Sequence, residues 1–123
     1  MSYAPVFLPG QAVTYTASAA ITGGQVVAVG TTGYNVAPTS AASDAVVGVA
    51  SNDQDVVGAT VTVYSGGVHR LTASGSISIG DRVIAAAAGA VATFGADADF
   101  THRIGKALTA ATNGQTVDVL LTL

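Results

Sequence analysis

A 22-residue stretch from Val46 to Gly67, "VVGVASNDQDVVGATVTVYSGG", returns near the other end of this 123-residue chain as "RIGKALTAATNGQTVDVLLTL". Gly23, Val26 and Ala28 are matched by Gly80, Val83 and Ala85 at a spacing of 57, and Gly48 and Ala50 by Gly105 and Ala107 at the same spacing. One residue is then lost, so that Gly58, Thr60, Val61 and Val63 match Gly114, Thr116, Val117 and Val119. Two units fall short of the three or more that a solenoid needs, so the recurrence predicts one pseudo-symmetric body rather than an array. The expected organisation is an extended arm over residues 1–10 and a single β domain over 11–123, its similar halves near 21–65 and 78–123.

The apolar runs are short, β-branched and punctuated by glycine, which is how a sandwich or barrel reads. Strands are predicted at 12–17, 25–29, 34–37, 46–50, 60–64, 68–73, 82–87, 90–93, 103–108 and 116–123. Alternation is clearest in "TVTVY" and "TVDVLL", which points Val61, Val63, Val117 and Val119 to an interior face. Ser65-Gly66-Gly67 predicts a three-residue hairpin loop and Asn113-Gly114 a tight hairpin turn. Ala85 to Ala88 favours helix by propensity, but Val83, Ile84, Gly89 and Val91 around it pull toward a strand pair. The expected fold is therefore all-β: a small, internally duplicated antiparallel β-barrel or sandwich with an extended N-terminal arm.

In that arm, Pro5 and Pro9 hold the residues before them extended. Tyr3, Val6, Phe7 and Leu8 are too apolar for a tail kept in water, so the arm packs either on its own barrel or on a partner by strand addition.

Several function classes drop out. There is no cysteine, which removes thiolate nucleophiles, disulfides and Cys-ligated zinc. A net charge of −3, with Arg70, Arg82, Arg103 and Lys106 as the only Lys or Arg residues, leaves no footprint for phosphate backbones or anionic lipid, so neither nucleic acid nor membrane is an expected partner. The densest apolar run, from Val83, is shorter than the roughly 18 to 20 residues of a spanning helix, and the N-terminus lacks the basic start of a secretory signal. Charged residues make up 9% of the chain against roughly 25–35% on a designed soluble surface, which favours a surface covered by other subunits.

Catalytic constellations are missing. His69 and His102 have no G-x-S-x-G elbow to serve, and Ser74 to Ser76 reads as a loop. Asp97, Asp99 and His102 stand close enough in sequence to suggest a metal site, but without a second nearby His the two Asp residues read as loop formers. Asp53 and Asp55 lack the Gly and terminal Glu of a calcium loop. Lys106 invites comparison with the carrier lysine of lipoyl domains, yet "RIGKALTA" reads as mid-strand rather than hairpin tip. His69, Arg70 and Arg103 remain as candidates for subunit contacts to carboxylates. No reaction, cofactor or metal is expected.

The pattern Val36-Ala37, Val47-Gly48, Thr60-Val61-Thr62-Val63-Tyr64, Gly67 and His69-Arg70 resembles the lambda-type head decoration proteins of tailed bacteriophages, over roughly Gln25 to Leu71. The second half is similar to phage capsid cement proteins: Gly80-Asp81-Arg82-Val83, Ile104-Gly105-Lys106-Ala107 and Val117-Asp118-Val119-Leu120-Leu121 stand where those carry G-D-x-V, I-G-x-A and V-x-V-x-L. The additional repeat and the missing Trp depart from the lambda type. The resemblance implies an external virion protein, a homotrimer at three-fold and quasi-three-fold positions of the shell. It also implies that the arm, through Tyr3, Pro5, Val6, Phe7 and Leu8, orders against the major capsid protein. The rival reading is a carbohydrate or cell-surface binding module, although the aromatics that would stack on sugars are scattered along the chain.

Overall fold

The computed structural model describes residues 12–95 and 99–123. Ten strands run in chain order: β1 (Val13–Ala17), β2 (Val26–Val29), β3 (Asn35–Pro38), β4 (Val46–Ala50), β5 (Thr60–Tyr64), β6 (Gly66–Thr72), β7 (Arg82–Ala85), β8 (Val91–Thr93), β9 (Arg103–Ala107) and β10 (Thr116–Thr122). Single 3-10 turns at Ala87–Gly89 and Phe100–His102 complete the regular structure. The fold is all-β. Strands β1 to β5 close into a barrel in the order β1-β3-β2-β4-β5, and β6 to β10 form a second sheet in the order β6-β10-β9-β7-β8.

The second set repeats the first contact by contact. Ala17 and Val36 pair in parallel to close the barrel, and Ala73 bridges Val91 in parallel in the second set. Ile21 bridges Gln54, and Ile77 bridges Ala111. Val27 faces Gly48, Val83 faces Gly105, and each ladder is bulged immediately afterwards. Gly24 N–H donates to Ala50 O as Gly80 N–H donates to Ala107 O, both at 2.8 Å. These equivalences keep the Gly48–Gly105 and Gly58–Gly114 matches read from sequence and correct the register of the opening segment. Val83 stands 56 residues after Val27, Val91 55 after Val36, Gly105 57 after Gly48 and Gly114 56 after Gly58. The structural counterpart of Gly80 (φ 86°) is thus Gly24 (φ 90°), not Gly23, and the counterpart of Val26 is Arg82, not Val83.

Burial follows the alternation. Val27, Val36, Val61 and Val63 fill the barrel with Ala17, Ile21 and Ala50. Leu71, Val83, Val91, Ile104, Val117, Val119 and Leu121 form the second core. Val61, Val63, Val117 and Val119 all point inward, as their spacing predicts. Gly48 and Gly105 are needed for close approach: a Cβ on either would collide with the backbone of the facing strand, at the Tyr64 and Leu120 carbonyls respectively.

Two turn predictions are corrected. Ser65-Gly66-Gly67 is no hairpin, because β5 pairs with β1 and β4 whereas β6 pairs with β10. The chain instead passes from one sheet to the other through Ser65. Asn113-Gly114 does form a turn, with Gly114 at φ 84° and Gln115 N–H donating to Thr112 O, but within a longer connection between β9 and β10. The Ala85–Ala88 segment ends β7 and makes a 3-10 turn before β8, its antiparallel partner. The parallel β1–β3 pairing departs from the expected antiparallel barrel: β3 returns beside β2 and, as the barrel closes, meets β1 in the same direction.

The two sets meet at a seam with both apolar and polar components. Val26 and Val49, paired across β2 and β4, point away from the barrel interior and join the second core, and Val46 packs beside them. Thr39 Oγ1 donates to Ala86 O (2.9 Å), Gly89 N–H donates to Thr39 O (3.0 Å), and the Gln25 side-chain amide donates to Ala88 O (3.0 Å). Thr39 is buried, so these bonds supply the partners its polar atoms need.

Candidate functional site

The arm residues Tyr3, Pro5, Val6, Phe7 and Leu8 lie outside the described residues. Among the remaining candidates, His69 and Arg70 sit side by side on β6, facing Val119 and Asp118 of β10. His69 Nε2 lies 2.7 Å from Gly66 O, and its ring stacks on Tyr64 at 5.8 Å between centroids. Arg70 Nε donates to Asp118 Oδ1 at 3.2 Å, with the guanidinium side chain 73% exposed. An ion pair this wet contributes little stability, so it leaves Arg70 open to a further partner at little cost.

Arg103 opens β9, two strands away from β6 in the sheet, and is not brought together with His69 and Arg70. Its neighbours are two cations that the sequence alone does not mark as contacts. Arg82 on β7 and Lys106 on β9 are direct cross-strand partners, and Lys106 is in turn the partner of Leu120 on β10. Arg82, Arg103, Lys106, Leu120 and Thr122 line a shallow groove of about 290 Å³ across the outer face of this sheet. All three cations are exposed, and among the described residues none forms an ion pair. Lys106 is mid-strand, as read from sequence, which leaves it no resemblance to a carrier lysine at a hairpin tip.

The suspected metal ligands arrange otherwise. Asp99 caps the 3-10 turn: its Oδ1 accepts from Thr101 N–H (2.9 Å) and from Thr101 Oγ1 (2.6 Å). These bonds hold the Asp99 carboxyl below its ordinary range. His102 Nε2 lies 3.5 Å from Asp99 Oδ2, while Asp97 falls outside the described residues. Asp53 Oδ1 accepts from Gly23 N–H at 2.7 Å, a contact between two loops 30 residues apart in the chain. Among the described residues no group of three His, Asp or Glu side chains could hold a metal ion, and no helix is long and apolar enough to cross a membrane. Tyr15 and Tyr34 pack at 5.8 Å on the barrel, and burial, with Tyr34 adding to it, raises the Tyr15 phenol. Phe94 and Phe100 stack separately at 5.3 Å, so among the described residues the aromatics form separate pairs rather than one platform.

This geometry leaves exposed apolar side chains such as Val68, Leu108 and Leu120, and a strip of exposed cations. A family described as phage cement protein matches residues 7–123, which spans both sheets. The chain belongs to the phage cement protein family. Comparison with curated proteins returns no match. Among solved structures, the base of the head fiber protein gp8.5 of bacteriophage phi29 is similar in fold, with a TM-score of 0.68 and 19% identity over 91% of this chain and 93% of that one. Membership of the cement family makes this a structural, capsid-associated phage protein.

Proposed function

We propose that the chain binds the outside of the phage capsid as a homotrimer and bridges neighbouring capsomers, stabilising the expanded shell. The observation that carries this reading is the cement-family match over residues 7–123, on a fold built from two β units with exposed, contact-ready faces.

The mechanism is state-selective binding. A protein that recognises the assembled, expanded lattice and not its separate subunits shifts the equilibrium toward the lattice by mass action. Three copies joined around an axis link three contacts, and linkage raises apparent affinity by ~10² to 10⁴ over one contact when the geometry lets all three engage. In this reading the apolar arm, Tyr3 and Pro5 to Leu8, adds to the major capsid protein, and the β body spans the junction. His69 and Arg70 are candidates for contacts between copies, as adjacent residues on β6 with Arg70 largely exposed.

The test is to heat expanded, DNA-free capsids of the parent phage with and without the protein and to image the decorated shells by electron cryo-microscopy. A raised disruption temperature with density at three-fold positions supports the proposal. Undecorated shells that break at an unchanged temperature refute it.

A further inference from the structure

The internal duplication offers a control within one molecule: the same strand face occurs twice, once covered and once open. In the first set, the outer face of β2 and β4 is covered by the second set through Val26, Val46 and Val49. Under the ladder equivalences, those three positions become Arg82, Arg103 and Lys106 in the second set. Each apolar residue of the seam is replaced by a cation, so the three cations mark the counterpart of a surface that the fold itself uses as an interface. The polar component of the seam changes in step. Gln25, whose amide donates across the seam, is replaced by Asp81, a carboxylate that cannot donate and is already occupied by Ser78 N–H (2.9 Å) and Thr93 Oγ1 (3.3 Å).

Two consequences follow. A second copy cannot repeat the intramolecular seam on this face, because the apolar surface that covers Val26, Val46 and Val49 would there bury cations without a carboxylate partner. A partner that supplies carboxylates, by contrast, meets three of the four Lys and Arg residues of a chain whose net charge is −3. Leu120 and Val68 continue the cross-strand row beyond Arg82 and Lys106, so the basic strip runs into an exposed apolar edge. Such a surface, with separated cations and an apolar border, fits a polypeptide bearing Asp or Glu beside aliphatic side chains.

We propose that the outer face of β7, β9 and β10, centred on Arg82, Arg103 and Lys106, is the docking surface for an acidic surface of the capsid protein. This rests on the reading of the chain as capsid-bound. It adds a second, electrostatic contact that does not involve the arm.

The experiment measures binding of full-length protein to expanded, DNA-free capsids of the parent phage by co-sedimentation at low and high salt. It compares wild type, the charge reversal R82E/K106E and the milder R82Q/K106Q. Circular dichroism and urea unfolding establish that each variant is folded, and the glutamine pair keeps the test decisive if the reversal does not fold. Expected is a loss of affinity of about ten-fold or more for the reversal, a smaller loss for the glutamine pair, and a weaker salt dependence for both. Wild-type binding matched by both variants, with the same salt dependence, overturns the assignment of this face while leaving capsid binding intact. Failure of the wild type itself to bind refutes the underlying reading instead. Sedimentation of the free protein supplies the last arm: an oligomer that salt and the glutamine pair both dissolve would assign the face to a second copy and overturn the capsid assignment.

Discussion

Exchanging residues between the two equivalent faces gives sharply unequal results if the seam is where the structure places it. Val26 is 0% exposed and packs into the second core, whereas its counterpart Arg82 is exposed. Val26→Arg puts an unpaired cation into that core, where no carboxylate stands among the residues of the cluster. An uncompensated buried charge costs ~3–5 kcal/mol. Arg82→Val removes an exposed charge that makes no ion pair among the described residues, a change within about 0.5 kcal/mol. For a chain of this length each kcal/mol moves the melting midpoint by about 4 °C, so Val26→Arg is expected to lower Tm by roughly 12–20 °C and Arg82→Val by about 2 °C or less. Differential scanning calorimetry of both variants beside wild type reads this directly. Equal shifts, or a Val26→Arg protein melting within about 4 °C of wild type, would refute the assignment of Val26 to a buried seam between the two sheets.

Two further predictions use single residues. Gly105→Ala forces a Cβ against the Leu120 backbone and to 3.0 Å from Val119 Cγ1, and is expected to cost ~1–3 kcal/mol in urea unfolding, with Gly48→Ala behaving alike at the equivalent place. The capped turn at Phe100–His102 should open on the acid side only: the Asp99 carboxyl is lowered by its bonds to Thr101, so its contribution is full above the unfolded carboxylate value and is lost as pH falls through the lower folded one. Thr101 amide exchange followed by NMR would show this as loss of protection in acid, and protection unchanged in Asp99→Ala, which has no side-chain acceptor, would contradict the cap.

Much of the fold is legible because it is written in local alternation. Val61, Val63, Val117 and Val119 declare their inward face by period alone, and strands β4 and β5 have the boundaries their sequence predicts. The parallel closure of β1 on β3 is not legible, since nothing near Thr16 or Asn35 encodes which distant strand each meets. The duplication itself is visible, but matching by glycine aligns Gly23 with Gly80 and so shifts the opening segment of the repeat by a single residue. Such a slip in a strand exchanges its faces. It pairs Val26 with Val83, two buried valines, and hides the replacement of Val26 by Arg82. For that reason the basic face is only partly readable from sequence, through Arg103, while Lys106 reads as a lone mid-strand lysine. Arg70, named from the same pattern, lies on β6 at the edge of the sheet, outside the groove that the three cations line, and pairs with Asp118.

The central claim, that this protein attaches to the assembled shell, is tested most directly by co-sedimentation of the purified chain with expanded capsids and, in parallel, with the dissociated capsid protein. The account predicts saturable binding to the shells at a fixed ratio to the capsid protein and none to the dissociated subunits. Absence of binding to expanded shells, or equal binding to free subunits, would contradict it.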